Sequence, residues 1–471
     1  MFMDLITLVC GFGAPWLLGA CLLLVANGAP AAGRAAWAVG CGWFVGLFLL
    51  TLWMRALSLV GVPYGVASIG LPIGLAAMAT LALALRRNPQ WRASVHASLR
   101  ACAGADLHGA MRVLWFALLA WLALRFALLL AEVILRPLYP WDAWEQWATK
   151  ARVWFAMRRM VPFISELQWL TSQGQAGYLD AAPHYPATVP LAMTWSALLI
   201  GRWDEALVNV PWWFCGIAFG VAVYGALVQR AFSPLAALVG TWLVLSLPIV
   251  NVHIALAGYA DLWMAAYFTL ATLAALRWVE TRRWSDATLA IILVIACLTI
   301  KNPGRIWALM LLPGLIVGLM PRWGLRIVAG GFAIAALAVV FMAKANIFIL
   351  GYRLQINASM PWAALSDAYL MFGNWNLLWY GVIATALVAR REILSRELAP
   401  LTVIVAGGAI FLLFGFAFTF AAAWVEDQST VNRATLHLAP LLTIWVMMAC
   451  RAWVNRGART IATSPAVPSR S

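Results

Sequence analysis

The chain has 471 residues, 64 % of them hydrophobic and only 10 % charged, with a formal net charge of +15. So much apolar surface cannot be hidden in one aqueous core, which excludes an ordinary soluble globular protein. Nor does the positive charge point to nucleic acid, because the arginines stand in short loops between apolar segments, as cytoplasmic loops of membrane proteins do.

Roughly 20 apolar residues span a bilayer, and such runs recur at Leu5 to Ala26, Val113 to Leu135, Gly324 to Met342 and Leu401 to Ala423. The first run lacks a basic start and a small-residue cleavage site, so it reads as a retained membrane helix rather than a signal peptide. Arg86, Arg87, Arg92, Arg100 and Arg112 mark one loop as cytoplasmic. Further basic loops carry Arg230, then Arg277 with Arg282 and Arg283, then Arg322 with Arg326, then Arg390, Arg391 and Arg396; Arg451, Arg456 and Arg459 follow in the tail. Outer returns then fall at 55–63, 136–186, 251–261, 301–305, 344–373 and 424–437. Between Tyr185 and Arg230 the pairing fails, because Val189 to Ile200 and Val208 to Val228 cannot both cross. The first is short for a span and reads as re-entrant or interfacial, which gives about 13 crossings with the N-terminus outside and the tail inside. The expected fold is an all-α polytopic transmembrane bundle whose long outer loop carries an interfacial amphipathic helix.

Polar residues inside this pattern are few. Arg125 and Glu132 share one face of the helix ending at Leu135 and read as a structural ion pair or network. In the long outer loop no helix breaker interrupts residues 141–158. Trp144, Ala148, Ala151, Trp154 and Phe155 form an apolar face there, with Asp142, Glu145, Thr149 and Arg152 on another. Asp142, just after Pro140, also suits a helix N-terminus, which a carboxylate stabilises through the dipole. His184-Tyr185-Pro186 introduces the segment that fails to cross. The next return holds His253, Tyr259 and Asp261, and Asp261 opens an otherwise apolar helix, where a carboxylate is costly unless it caps or faces a polar cavity. Lys301 and Arg305 flank a Pro-Gly turn on the face that is otherwise poor in cations; a turn whose side chains snorkel to water is the bland alternative. The last return carries Asp427, Asn432, Arg433 and His437. Lys150, Lys301 and Lys344 are the only lysines. The seven cysteines, Cys102 among them, are scattered without a CxxC or Cys/His cluster, so neither zinc nor a disulfide framework is indicated. Carboxylates can act as base or ligand, and cations can hold a phosphate as its charge grows.

At these residues the chain resembles the membrane-embedded glycosyltransferases of the GT-C superfamily, especially the branch of protein O-mannosyltransferases and lipid A aminoarabinose transferases. The resemblance rests on Trp141-Asp142-Ala-Trp144 in the first long outer loop, on His184-Tyr185-Pro186 and on the segment from Pro248 to Asp261. Leu298-Thr-Ile-Lys301-Asn-Pro-Gly304 and the interval from Arg433 to Pro440 complete it. It covers residues 113–453 as a catalytic module. Residues 1–112 look like additional helices with a basic loop, and residues 454–471 like a cytoplasmic tail whose end is disordered. The resemblance implies inverting sugar transfer from a polyprenyl-phosphate sugar to an acceptor hydroxyl, on a lipid or glycan, at the outer face of the inner (plasma) membrane. Asp142 would be the base and Asp261 would orient the acceptor or a cation. Lys301, Arg305 and Arg433 would hold the phosphate, and Glu145, His184, Tyr185, Tyr259 and His437 would line the acceptor cavity. The chain lacks the family's Pro-Pro pair after Tyr185 and its acidic doublet at Asp261, so no metal site is carried over and no cofactor is expected. A secondary transporter or lipid flippase, with broken helices and an internal repeat, is the alternative.

Overall fold

The computed structural model describes residues 1–27, 31–87, 95–97, 100, 103–104, 107–172, 177–344, 348–349, 352–353 and 360–463. Arg92, Cys102 and the tail beyond Thr463 lie outside them. Helices account for nearly all of the described structure. Among the described residues, strands form two short ladders of two residue pairs each: parallel β1 (Phe163–Ile164) with β2 (Tyr178–Leu179), and antiparallel β3 (Phe348–Ile349) with β4 (Tyr352–Arg353). Among the described residues, eight helices are long and apolar enough to cross a membrane, or ten spans if each of two bent pairs counts as one. The chain forms two units, Met1–Ala308 and Leu309–Ser471.

The first unit is built on the hairpin of α1 (Phe2–Asn27) and α2 (Arg34–Leu59). Gly46 lies against the Pro15 carbonyl, and Gly19 against Gly42, a pairing that runs antiparallel and leaves no room for a Cβ. Small residues let helix backbones approach where lipid supplies no hydrophobic drive between helices. Pro15 has no N–H to offer the Gly11 carbonyl, and the Trp195 indole donates to that oxygen instead (3.3 Å). After the hairpin come α3 (Val66–Arg87), α4 (Gly109–Leu135), α5 (Ala148–Met157), α6 (Glu166–Thr171), α7 (Thr188–Ile200) and α8 (Val210–Gln229), of which α3, α7 and α8 pack on it. They are followed by α9 (Pro234–Leu245), α10 (Pro248–Ala255), α11 (Asp261–Thr281) and α12 (Trp284–Leu298). The helices read from the sequence as an addition therefore pack in the same unit as the segments that follow them, with α8 seated on α2 through Gly40 and Gly225.

Because α1 and α2 are antiparallel, the first turn of α1 and the last turn of α2 lie at one end. Both ends of α7 are tied there. Arg55 Nη2 donates to Thr188 Oγ1 (2.9 Å), and Arg202 holds the Asp4 carboxylate through both terminal nitrogens (3.2 and 3.0 Å). In contrast α8 finishes at the opposite end, where Gln229 Nε2 donates to the Gly33 carbonyl (3.4 Å). The 136–186 segment joins the first end through Tyr64 N to Arg158 O (2.6 Å) and Met160 N to Ser58 Oγ (3.1 Å). This is the loop end. The opposite, basic end collects Arg34 and the pairs Arg230–Glu280 (3.6 Å) and Arg277–Asp286 (3.7 Å).

In the second unit α13 (Gly304–Leu319), within which that unit begins, is followed by α14 (Gly324–Lys344), α15 (Leu378–Val388), α16 (Ala399–Phe418), α17 (Ser429–Leu436) and α18 (Ala439–Thr463). There α15 and α16 pack on α18, and the Trp445 indole donates to Thr402 Oγ1 (2.9 Å). The helix contact at Gly46 carries a test. Gly46→Ala should lower the melting temperature in detergent by several degrees, whereas Gly74→Ala, where an added Cβ meets nothing within 4 Å, should not. Equal melting temperatures for the two variants would remove the argument for backbone contact.

Candidate functional site

Four segments meet at the loop end of the first unit: the Asp142 turn, the stretch from Asp180 to Thr188, the return to Asp261, and the Lys301 turn. The Asp142 turn starts where the Pro140 carbonyl accepts from Ala143 N (3.0 Å) and Trp144 N (3.3 Å). The sequence predicts an unbroken α-helix over 141–158, but residues Ala143–Trp147 are π-helical. Ala148 N reaches back to the Ala143 carbonyl, leaving the Trp144 carbonyl to the hydroxyl of Thr149. The extra residue in the turn leaves Trp144 exposed and buries Trp147. The Asp142 carboxylate makes no capping hydrogen bond and is half-buried, as is Glu145. Ala148, Ala151 and Trp154 are buried, with α5 packed on α7, so much of the expected apolar face meets protein; Trp141 and Trp144 remain exposed.

Lys150, on the same helix, is buried. Its Nζ lies 3.1 Å from Asp180 Oδ1 and donates to the Ala182 carbonyl (2.7 Å). Asp180 is placed by the β1–β2 ladder, which its N–H extends to the Ile164 carbonyl (3.1 Å). The same Oδ1 accepts from Ala182 N (2.7 Å), which closes a tight turn before His184. Burial pushes the Asp180 carboxyl up and the Lys150 ammonium down, and the attraction between them opposes both shifts. Trp147 meets the ring of Tyr185 edge-on at 5.4 Å. Tyr185 is half-buried and His184 exposed. The pair therefore fixes the His184-Tyr185-Pro186 segment. Sequence reasoning missed it: Lys150 stood out only by rarity, and Asp180 lies in a stretch without periodicity.

Gly258 (φ +123°) brings the next return against the Asp142 turn. A Cβ there would stand 2.6 Å from that of Ala143, and the positive φ itself favours glycine. Tyr259, half-buried, is held by its carbonyl, which accepts from the Trp212 indole (2.8 Å); its ring lies 5.4 Å from that of His253. Two residues on, Asp261 begins α11 fully buried and pairs with Lys301 (2.7 Å). The family resemblance implies separate roles for these two residues, and the structure joins them. The Lys301 side chain is only 12 % exposed, so it turns toward a buried carboxylate rather than snorkelling to water. Arg305 is exposed. The Lys301 turn is tied to α7, because Thr188 N donates to the Thr299 carbonyl (3.3 Å) and Thr188 Oγ1 to Thr299 Oγ1 (2.9 Å).

Of the ion pair or network expected of Arg125 and Glu132, the direct pair does not form. Seven residues of helix separate the two by about 10 Å along the axis. Glu132 pairs instead with Arg136 one turn on, while Arg125 Nε donates to Asn251 Oδ1 (2.7 Å). Both line a groove of about 240 Å³ with Trp121, Leu128 and Ala255. Arg433, half-buried on α17, and His437, buried at the bend before α18, belong to the second unit. Among the described residues no group of three or more His, Cys, Asp or Glu side chains is assembled that could hold a metal ion.

No protein-family model, no curated protein and no solved structure matches the chain.

Removing one partner of a buried ion pair strands the other charge and costs about 3–5 kcal/mol. Asp180→Asn should therefore destabilise the protein strongly and expose residues 160–186 to limited proteolysis. Adding Lys150→Met to it should recover most of the loss in melting temperature. A double variant no more stable than Asp180→Asn alone would show that charge is not what the pair supplies.

Proposed function

We propose that this protein is a membrane glycosyltransferase that moves a sugar, with inversion, from a polyprenyl-phosphate donor to an acceptor hydroxyl at the outer face of the inner (plasma) membrane. The observation that supports it best is the meeting of the Asp142 turn with the 184–186, 259–261 and 301–305 segments at one end of the first unit. In this reading an Asp142 carboxylate oxygen takes the proton of the acceptor hydroxyl as that oxygen bonds to the anomeric carbon. The bond from that carbon to the phosphate oxygen breaks, and the phosphate leaves with the electron pair and one more negative charge. Lys301 and Arg305 offset that charge, and such groups contribute most when the charge develops only in the transition state. Asp261 holds the Lys301 ammonium in place as well as orienting the acceptor. Glu145, His184, Tyr185 and Tyr259 serve the acceptor cavity; the roles that the family resemblance implies for Arg433 and His437 rest on that resemblance alone.

The accompanying topology has thirteen crossings, with α7 lying at the outer face. Its 13 residues span only about 20 Å, and both its ends are tied to the same end of the α1–α2 hairpin. Eight long helices, two bent pairs and the shorter helices Trp284–Leu298, Gly304–Leu319 and Leu378–Val388 supply the thirteen. A membrane-impermeant thiol reagent applied from outside should label cysteines engineered at both Tyr185 and Trp203. Labelling at Trp203 only from the cytoplasmic side would overturn this arrangement.

One observation favours the transporter reading. α9 and α10 are bent by 66° and α17 and α18 by 51°, and broken helices are common around transport sites. At the first break Asn251 Nδ2 donates to the Leu245 and Leu247 carbonyls (both 2.9 Å), so the freed backbone is satisfied locally. Chemistry separates the two readings. Purified protein given a polyprenyl-phosphate sugar and an acceptor should release polyprenyl phosphate, which a transporter would not do. Asp142→Asn should fold normally and lower that turnover about a hundredfold or more. Near-normal turnover in this variant would exclude Asp142 as the base and move the search to Glu145.

A further inference from the structure

Among the described residues of the loop end, Lys150 and Lys301, both largely withdrawn from solvent, are matched by carboxylates. Lys150 has Asp180 and Lys301 has Asp261, at 3.1 and 2.7 Å. Arg55, half-buried near the end of α2, has no carboxylate partner among the described residues. Its hydrogen bonds go to neutral hydroxyls: Nη1 to Thr51 Oγ1 (3.4 Å) and Nη2 to Thr188 Oγ1 (2.9 Å). A guanidinium carries five N–H donors, so three remain after these two bonds. None of its nitrogens is both sealed from solvent and unbonded. A cation drawn partly out of water without an opposite charge is costly, and an arriving anion offsets that cost.

The position of Arg55 narrows the kind of anion. Thr188, to which it donates, bonds Thr299 through both side chain and backbone, two residues before Lys301. Arg55 lies about 6 Å before the end of a helix long enough to span a membrane, close to the depth of lipid phosphates. Arginine's planar fork matches phosphate oxygens better than an ammonium does.

We propose that Arg55 is a phosphate-binding residue, supplied by the N-terminal helices, that contacts the phosphate of a phosphorylated ligand beside the Lys301 turn. This deepens the donor reading above and rests on it for the lipid, but not for the phosphate.

The test is a binding titration on the purified full-length protein, with decaprenyl phosphate as probe, decaprenol as the uncharged lipid and inorganic phosphate as the headgroup alone. The rise in melting temperature gives the half-saturating concentration. Wild type should be stabilised by decaprenyl phosphate and not by decaprenol. Arg55→Gln should raise half-saturation about tenfold or more, a ratio that a purely structural role in the unliganded protein would not move. Arg55→Lys keeps the charge and loses the fork; it should weaken binding severalfold, and it decides the matter if Arg55→Gln does not fold. Stabilisation by inorganic phosphate that is lost in the same variants would support the same residue with a free phosphate as the ligand. Wild-type half-saturation in Arg55→Lys and in any folded Arg55→Gln would overturn the proposal, as would a wild type that binds neither phosphate. If Arg55-dependent binding holds while no sugar is transferred, the glycosyltransferase reading fails and the phosphate site stands.

Discussion

A charge held inside a bundle of apolar helices must meet an opposite charge or stay within reach of water, and the loop end of this protein is organised by that constraint. The Lys301–Asp261 contact shows how. Asp261 sits at the first position of one helix and Lys301 in the turn after the next, so one ion pair pins two returns together. Lys150 and Asp180 do the same for the surface segment, joining a helix to the loop that leaves the β1–β2 ladder. Neither pair is an obvious source of net stability, since desolvation offsets much of the attraction. Their effect is geometric: each fixes where a backbone segment can lie, and together they bring the Asp142 turn and the His184–Tyr185 segment to the end that also carries Lys301.

The long apolar helices were legible because bilayer thickness imposes a length and a composition that a sequence cannot disguise. The polar residues that matter were legible for a related reason, since Asp261 and Lys301 are conspicuous where everything around them is apolar. Their pairing was not, because 40 residues separate them and no local periodicity encodes it. The π-helical turn at Ala143–Trp147 escaped for a different cause. A threonine hydroxyl competes for one carbonyl, and the 141–158 pattern reads as helical whether or not a residue is inserted. Arg125 and Glu132 do not pair with each other, because sharing a face is not the same as being in reach. Sequence spacing gives direction around a helix, while contact also needs the distance along it.

The N-terminal helices, read from the sequence as an addition, pack in one unit with the segments that follow them. α2 provides the surface on which α8 lies and, through Arg55, a hydrogen bond to the first residue of α7. That residue in turn holds Thr299 beside the Lys301 turn. Any chemistry at the loop end is thus built on a floor that includes the first 60 residues.

The glycine contacts between α2 and α8 also set a problem of timing. Gly40 and Gly225 abut the opposite backbone, yet they stand 185 positions apart in the chain. At ordinary rates of synthesis, about 5–20 residues per second, α2 spends on the order of ten to forty seconds in the membrane before its partner exists. During that interval its small-residue groove faces either lipid or a temporary companion, and α8 must then find it among helices that arrived earlier. The close fit that favours the finished bundle is therefore unavailable to the nascent one, and biogenesis depends on keeping that groove free until the second half of the unit has been made.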